Sequence, residues 1–312
     1  MNFTVNKSNV SPTRFFSAAL LFFALFGTIT SGAQCQGVEP APVTSSHEIP
    51  YMLDQPSFVA ELPKALDEIS GLTALDSSRI AAVQDEDGVV FILDAASGRV
   101  VDRQRFRGGG DYEAIEAVQN VVFVLRSDGT IFEIRNWQDD ENADLIVHDT
   151  WLSSRYDTEG LAVTADSTGL LVACKEYAGK GLKGMRAVYR FSLASSTLSR
   201  DPALVFDAQA AEAAIPEGVV SRSMRRLLDI RRFKPSGIAI HPLSGHVYVL
   251  SSVSRSLTIF DMDGNVLGIA RLDKDLLPQP EGITFLANGD LFVASESGRG
   301  RGRLLRYSYT PS

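Results

Sequence analysis

The sequence predicts an all-β protein, a five-bladed β-propeller of four-stranded antiparallel blades, and three observations carry the prediction. First, one motif recurs: a polar residue, Glu or Ser, a small residue, then an apolar run with β-branched members. It reads DEISGLTAL at 67–75, DYEAIEAV at 111–118, DTEGLAVT at 157–164, KPSGIAIH at 234–241 and QPEGITFL at 279–286. The small residues Gly71, Ala114, Gly160, Gly237 and Gly282 are spaced by 43, 46, 77 and 45 residues, one blade-sized period each with one unit lengthened. Self-similarity at such a period marks a repeat architecture. Second, every copy is followed by a turn and another strand: RIAAVQDE, VVFVLRSD, LLVACKE, HVYVLSS and DLFVASE. Third, the last unit ends one strand short while a spare strand, SFVAEL at 57–62, precedes the first unit.

Taken in order, the first unit is GLTAL, RIAAVQDE, VVFILDA and RVVDRQRF, with Asp87-Gly88 and Ser97-Gly98 as hairpin-turn signals. Four antiparallel strands per unit is the layout of a propeller blade. The second unit continues through VVFVLRSD, an Asp128-Gly129 turn, TIFEIR and the outer strand LIVHDTWL. Its WQDDENAD segment reads as a solvated hairpin tip, since it lacks the alternating ligands and central Gly of an EF-hand loop. In the third unit, AGKGLKGM joins LLVACKE to RAVYRFSL. It lacks the spacing of a phosphate-binding P-loop and lies between two strands rather than opening a helix. Residues 208–233 lengthen the period. They read as a small helical insertion carrying a basic cluster, with Arg222, Arg225 and Arg226 as candidate contacts for an anionic partner or as a solvated face on the rim. The fourth unit (GIAIH, HVYVLSS, SLTIFDM, VLGIARL) has Ser244-Gly245 and Asp263-Gly264 turns, and the fifth has Asn288-Gly289. SFVAEL supplies its missing outer strand, a closure that removes unpaired sheet edges.

Residues 1–34 read as an export signal rather than fold. Lys7 and Arg14 precede an apolar run over 15–30, and Ser31-Gly32-Ala33 suits cleavage after Ala33. The run is short for a spanning helix, which needs about 20 apolar residues. An uncleaved anchor and lipid attachment at Cys35 stay open as alternatives. Residues 35–56 read as a linker or tether, and 57–312 as the propeller. The expected place is therefore the periplasm or cell envelope, with membrane contact only through the N-terminal segment or a lipid. With 45% hydrophobic and 22% charged residues the chain can bury a sizeable core. A formal charge of −8 argues against nucleic acid, which needs a basic face. There are only two cysteines, and a domain this large does not depend on disulfides. A monomer is expected.

The repeats aim acidic side chains at one place. The first strand of each propeller blade lines the central channel, so the residue before it sits at one mouth: Ser70, Glu113, Glu159, Ser236 and Glu281. The second strand returns to the same mouth, bringing Asp85 or Glu86, Ser127 or Asp128, Glu176, Ser252 and Glu296. Two like charges 4 Å apart repel by about 4 kcal/mol at an effective dielectric near 20. Such a ring takes up protons unless a cation sits in it. Calcium suits an all-oxygen site, whereas the four scattered histidines and two remote cysteines give no zinc, copper or iron site. A capped turn or an Arg partner is the alternative for any single Glu.

ISGLTAL (69–75), DYEAIEAV, DTEGLAV, KEYA (175–178), KPSGIAI, VLSSVSRSL (249–257), PEGITF and VASES (293–297), in this order, resemble the SdiA-regulated family, distant relatives of NHL-repeat propellers. The resemblance covers about 57–309. It implies a five-bladed propeller, exported or membrane-tethered in bacteria, with a calcium site and no established enzymatic activity. By position the site falls on Glu113, Glu159 and Glu281, with Glu176 and Glu296 beside them and Ser70, Asp85 and Ser236 at the mouth. The basic insertion departs from the family pattern. The expected function is a calcium-binding interaction module whose mouth takes a protein or small-molecule partner, since no G-x-S-x-G or Ser/His pair is visible. A calcium-dependent hydrolase of the lactonase, phosphotriesterase or phytase kind is the alternative, with the metal polarising a carbonyl or phosphoryl oxygen. A purely structural propeller without metal is a third.

Overall fold

In the computed structural model, residues 49–139, 143–207, 226–229, 231–296, 298 and 300–311 are described. The export-signal reading of 1–34, Cys35, Arg222 and Arg225 lie outside them. Among the described residues no helix is long and apolar enough to cross a membrane.

Among the described residues the chain forms five four-stranded antiparallel sheets. The spare strand β1 (Phe58–Glu61) comes first in the chain. Blade 1 is β2 (Ile69–Ala74), β3 (Arg79–Gln84), β4 (Asp87–Asp94) and β5 (Val100–Gly109). Blade 2 is β6 (Tyr112–Val118), β7 (Val121–Arg126), β8 (Ile131–Arg135) and β9 (Asp144–His148). Blade 3 is β10 (Thr158–Val163), β11 (Gly169–Cys174), β12 (Arg186–Ser192) and β13 (Thr197–Phe206). Blade 4 is β14 (Gly237–Ile240), β15 (Val247–Ser251), β16 (Ser256–Phe260) and β17 (Val266–Arg271). Blade 5 is β18 (Gln279–Phe285), β19 (Leu291–Glu296) and β20 (Arg303–Tyr307), and β1 pairs antiparallel with β20, Phe58 opposite Arg306 and Glu61 opposite Arg303. The first strands β2, β6, β10, β14 and β18 touch in that order, and β18 touches β2, so the ring closes.

Among the described residues the core is divided into five parts. The apolar faces of neighbouring blades meet in five wedges, because a sheet with two apolar faces must be covered on both. Between blades 3 and 4, Phe206 stacks on Phe260 at 4.1 Å. Leu227 and Phe233, from the insertion, are buried in the same wedge. Of the insertion, residues 226–229 and 231–233 are described, with a 3-10 turn at Arg226–Leu228 in place of the expected longer helix in that part, and Arg226 is exposed.

The turns at Ser97-Gly98, Asp128-Gly129, Ser244-Gly245, Asp263-Gly264 and Asn288-Gly289 form with glycine at positive φ. Asp87-Gly88 is different. Both residues open β4, and the hairpin bends one step earlier, at Asp85-Glu86. Gly88 serves close packing instead: a Cβ there would lie 2.7 Å from the carbonyl oxygen of Gly108 on β5.

The described end of the expected tether lies on the propeller. Tyr51 is buried among His241, Tyr248, Phe285 and Tyr309, and its hydroxyl donates to the carbonyl of Gly289 at 2.7 Å. This docking is on the face of the β14–β15 and β18–β19 turns, opposite the mouth at which the first strands begin.

Candidate functional site

The mouth is built by a local irregularity that four of the five first strands repeat; β14 pairs with β15 without it. In β2, β6, β10 and β18 the register with the second strand shifts at Ile69/Gly71, Tyr112/Ala114, Thr158/Gly160 and Pro280/Ile283. The residue the shift leaves unpaired is Ser70, Glu113, Glu159 or Glu281. A bulge re-aims the side chain of its extra residue, and here it aims the inner ring. The small residue that follows has a separate cause. A Cβ on Gly71 would meet the backbone of Ala114 at 2.8 Å, and one on Gly237 would come 2.3 Å from the carbonyl oxygen of Glu281. Neighbouring first strands approach too closely near the axis for a larger residue.

The serines of the inner ring hold blades together. Ser70 Oγ donates to the carbonyl of Tyr112 on blade 2 at 2.7 Å, and Ser236 Oγ to that of Pro280 on blade 5 at 2.8 Å. Both hydroxyls are buried in these bonds. The glutamates remain. Glu159 and Glu281 are buried and, with Ser70, line a throat that encloses only about 10 Å³, close to the room of one water. The channel thus narrows to a small throat below the mouth.

The second ring follows from strand register. Val83, Leu125, Ala173 and Leu250 lie opposite the small residues Gly71, Ala114, Gly160 and Gly237. Two residues further on, with the same side-chain parity, stand Asp85, Ser127, Lys175 and Ser252; Glu296 holds that place in blade 5, beyond Ser295 opposite Pro280. Blade 3 therefore presents Lys175, not Glu176, to the ring. A step of one residue along a strand points the side chain the other way. Glu176 is exposed and forms an ion pair with Lys234 on the rim. Of the expected residues, Glu113, Glu159, Glu281, Glu296 and Asp85 are brought together and Glu176 is not. Lys175, Asp111 and Asp157 escaped sequence reasoning. The dipeptide Lys175-Glu176 directly follows β11, and the register of that strand with β10 was the missing signal.

The electrostatics follow from crowding. Burial pushes the Glu113 carboxyl up to about 10, with Glu159 and Asp111 adding to it. Burial, then Glu159 and Glu296, hold Glu281 well above the ordinary carboxylate range. Burial lifts Glu159 to about 7 even though Lys175 works against the shift. Glu296 is also pushed to about 7 by burial and by Asp85 and Glu68, and Asp85 to about 6 by burial and Glu68. Among the described residues, Lys175 is the cation bonded into this group. Lys175 Nζ donates to Glu159 Oε1 and its charge is felt at Glu113, Glu281, Glu296 and Asp157. Gln279 Nε2 donates to Glu296 Oε2 at 2.5 Å.

These residues fit a hard cation by their chemistry. The donors are carboxylate oxygens, buried carboxyls outnumber the one ammonium among them, and that ammonium already stands in for a positive ion. Among the described residues no group of three or more His, Cys, Asp or Glu side chains is placed to hold a metal ion. His148 is occupied with Glu133 at 2.7 Å and His241 lies on the opposite face, so neither reaches the mouth. Cys174 is buried in β11, its thiol pushed up to about 12 by burial, which leaves it unreactive.

Over residues 55–299 the chain matches the family model described as SdiA-regulated. It belongs to the SdiA-regulated family. No curated protein matches it. Among solved structures, the glutaminyl cyclase of Myxococcus xanthus aligns with a TM-score of 0.51 at 11% identity, covering 81% of this chain and 95% of that one. The gluconolactonase XC5397 of Xanthomonas campestris aligns with a TM-score of 0.45 at 14% identity, over 77% and 72% of the two chains. At such identities the likeness is one of fold. This member of the SdiA-regulated family thus combines five blades with one mouth rich in carboxyl groups.

Proposed function

We propose that the mouth is the seat of a calcium ion and that this propeller works as an exported binding module of the cell envelope, taking a protein or small-molecule partner there. One observation carries the reading: Glu113, Glu159, Glu281, Glu296 and Asp85 form a run of carboxyls at the mouth in which each raises the next, and Lys175 is the cation bonded among them in the described residues. Glu113, Glu159 and Glu281 would hold the ion, with Glu296 and Asp85 beside them. Bound calcium would supply a positive centre for oxygen atoms of a ligand. Export and anchoring through residues 1–35 belong to the same proposal. Its support is the basic residues and apolar run of 1–34 and the small residues before Cys35.

The test is calorimetry with calcium chloride, before and after chelation, combined with thermal melting. Calcium at a hundred times its dissociation constant should stabilise the domain by about 2.7 kcal/mol; no heat and no shift would remove the reading. A second reading, a calcium-dependent hydrolase, is favoured by Glu159 and Glu296, whose carboxyls at about 7 suit a general base at neutral pH. Turnover on a panel of esters, lactones and phosphate esters that needs calcium and is lost in Glu281→Gln would establish it against the binding module.

A further inference from the structure

We infer that Lys175 is the resident counter-ion of the mouth, holding from within the chain the place a calcium ion would take, so that the metal binds only by displacing it. The inference rests on the calcium reading above and adds to it a built-in competitor that sets the affinity of the site.

Three observations lead there. The first is position. In the second ring the other blades place Asp85, Ser127, Ser252 and Glu296, all oxygen-bearing, while blade 3 alone places a cation. The second is contact. Lys175 Nζ is bonded to Glu159, a buried member of the inner ring, and acts on Glu113 and Glu281 from the same point. A calcium ion drawing on those carboxylates cannot share that point with an ammonium group. The third is an exit. Asp157 lies beside Lys175, whose backbone N–H donates to the Asp157 carbonyl at 2.8 Å, and its carboxyl already feels the lysine's charge. The four-carbon stem of lysine and its compact charge allow such a swing without movement of the strand. Lys234 cannot play the same part, because it is paired with Glu176 on the rim.

The experiment compares the wild-type protein with Lys175→Met, which keeps the side-chain length and removes the charge. Lys180→Met, an exposed lysine further along the same loop, is the control for a lost charge. Calcium affinity is read by calorimetry, and melting temperature is read in chelator. Lys175→Met should bind calcium more tightly, on the order of tenfold or more, which is about 1.4 kcal/mol. It should also melt lower than wild type in chelator and gain more from calcium, while Lys180→Met tracks wild type. Calcium binding by Lys175→Met with none by wild type would support the inference in its strongest form. If wild type binds calcium and Lys175→Met binds it equally or more weakly, the inference fails and the calcium reading stands. If neither binds, both fail. Should Lys175→Met not fold, Lys175→Gln carries the same comparison.

Discussion

Glu281 and Glu116 are both glutamates on first strands, yet they do opposite things. Glu281 sits on a bulge, crowded by Glu159 and Glu296, and its carboxyl costs the fold stability when ionised. Glu281→Gln should therefore raise the melting temperature in chelator while weakening calcium binding by about tenfold or more, both measured on one preparation. A variant that loses neither repulsion nor affinity would place Glu281 outside the site. Glu116, three residues past the Glu113 bulge, is fully partnered. It accepts from Thr73 Oγ1 at 2.6 Å, from its neighbour's N–H at 2.9 Å and from the Val163 N–H at 3.0 Å. One side chain thereby ties blades 1, 2 and 3. Glu116→Ala leaves the Val163 donor without this partner, and unfolding in urea should show a loss of about 1–3 kcal/mol.

The decisive elements are the bulged starts of the first strands and the seam at β1. The bulges of β6, β10 and β18 carry the glutamates of the inner ring, that of β2 carries a serine bonded to the next blade, and the small residue beside the ring position lets the neighbouring blade close in. Gly237→Ala would place a methyl group 2.3 Å from the Glu281 carbonyl oxygen. Backbone must shift to relieve that contact, so a loss of about 1–3 kcal/mol is expected from overpacking. Calcium affinity should fall in the same variant, because Glu281 is on the strand that moves. The seam makes a different prediction. Without β1, the edge of β20 loses its pairing from Phe58 to Glu61, and an unpaired edge is a template for association. A chain shortened to begin after Glu61 should elute as larger species in size-exclusion chromatography, where the full chain is expected to elute as a monomer.

For the whole molecule, the mouth makes stability depend on pH with a definite sign. Asp85 is raised to about 6, Glu159 and Glu296 to about 7 and Glu113 to about 10, so these carboxyls bind protons more tightly in the folded chain than in the unfolded one. Their stabilising contribution is complete below the unfolded carboxylate range and is lost as pH rises through the folded values. In chelator the melting temperature should fall between about pH 5 and about pH 8, and saturating calcium should flatten that fall. A profile in chelator that is flat over this range would mean that the carboxyls are not at odds with one another.

By itself the sequence determined the number of blades, most of the hairpin turns, Asp87-Gly88 excepted, and which residues precede the small residue of each first strand. The reason is that Glu or Ser beside a small residue is a local pattern, and its phase survives without knowledge of partners. The closing strand was legible for a similar reason, as an unmatched strand at one end and a missing one at the other. Only the tertiary structure decided that Lys175 rather than Glu176 faces the ring. That choice depends on the register with β10, and a bulge in a paired strand shifts register without a mark in the strand that receives it. Glu116 was equally hidden, since its partners Thr73 and Val163 belong to neighbouring blades and meet it only when the ring has closed.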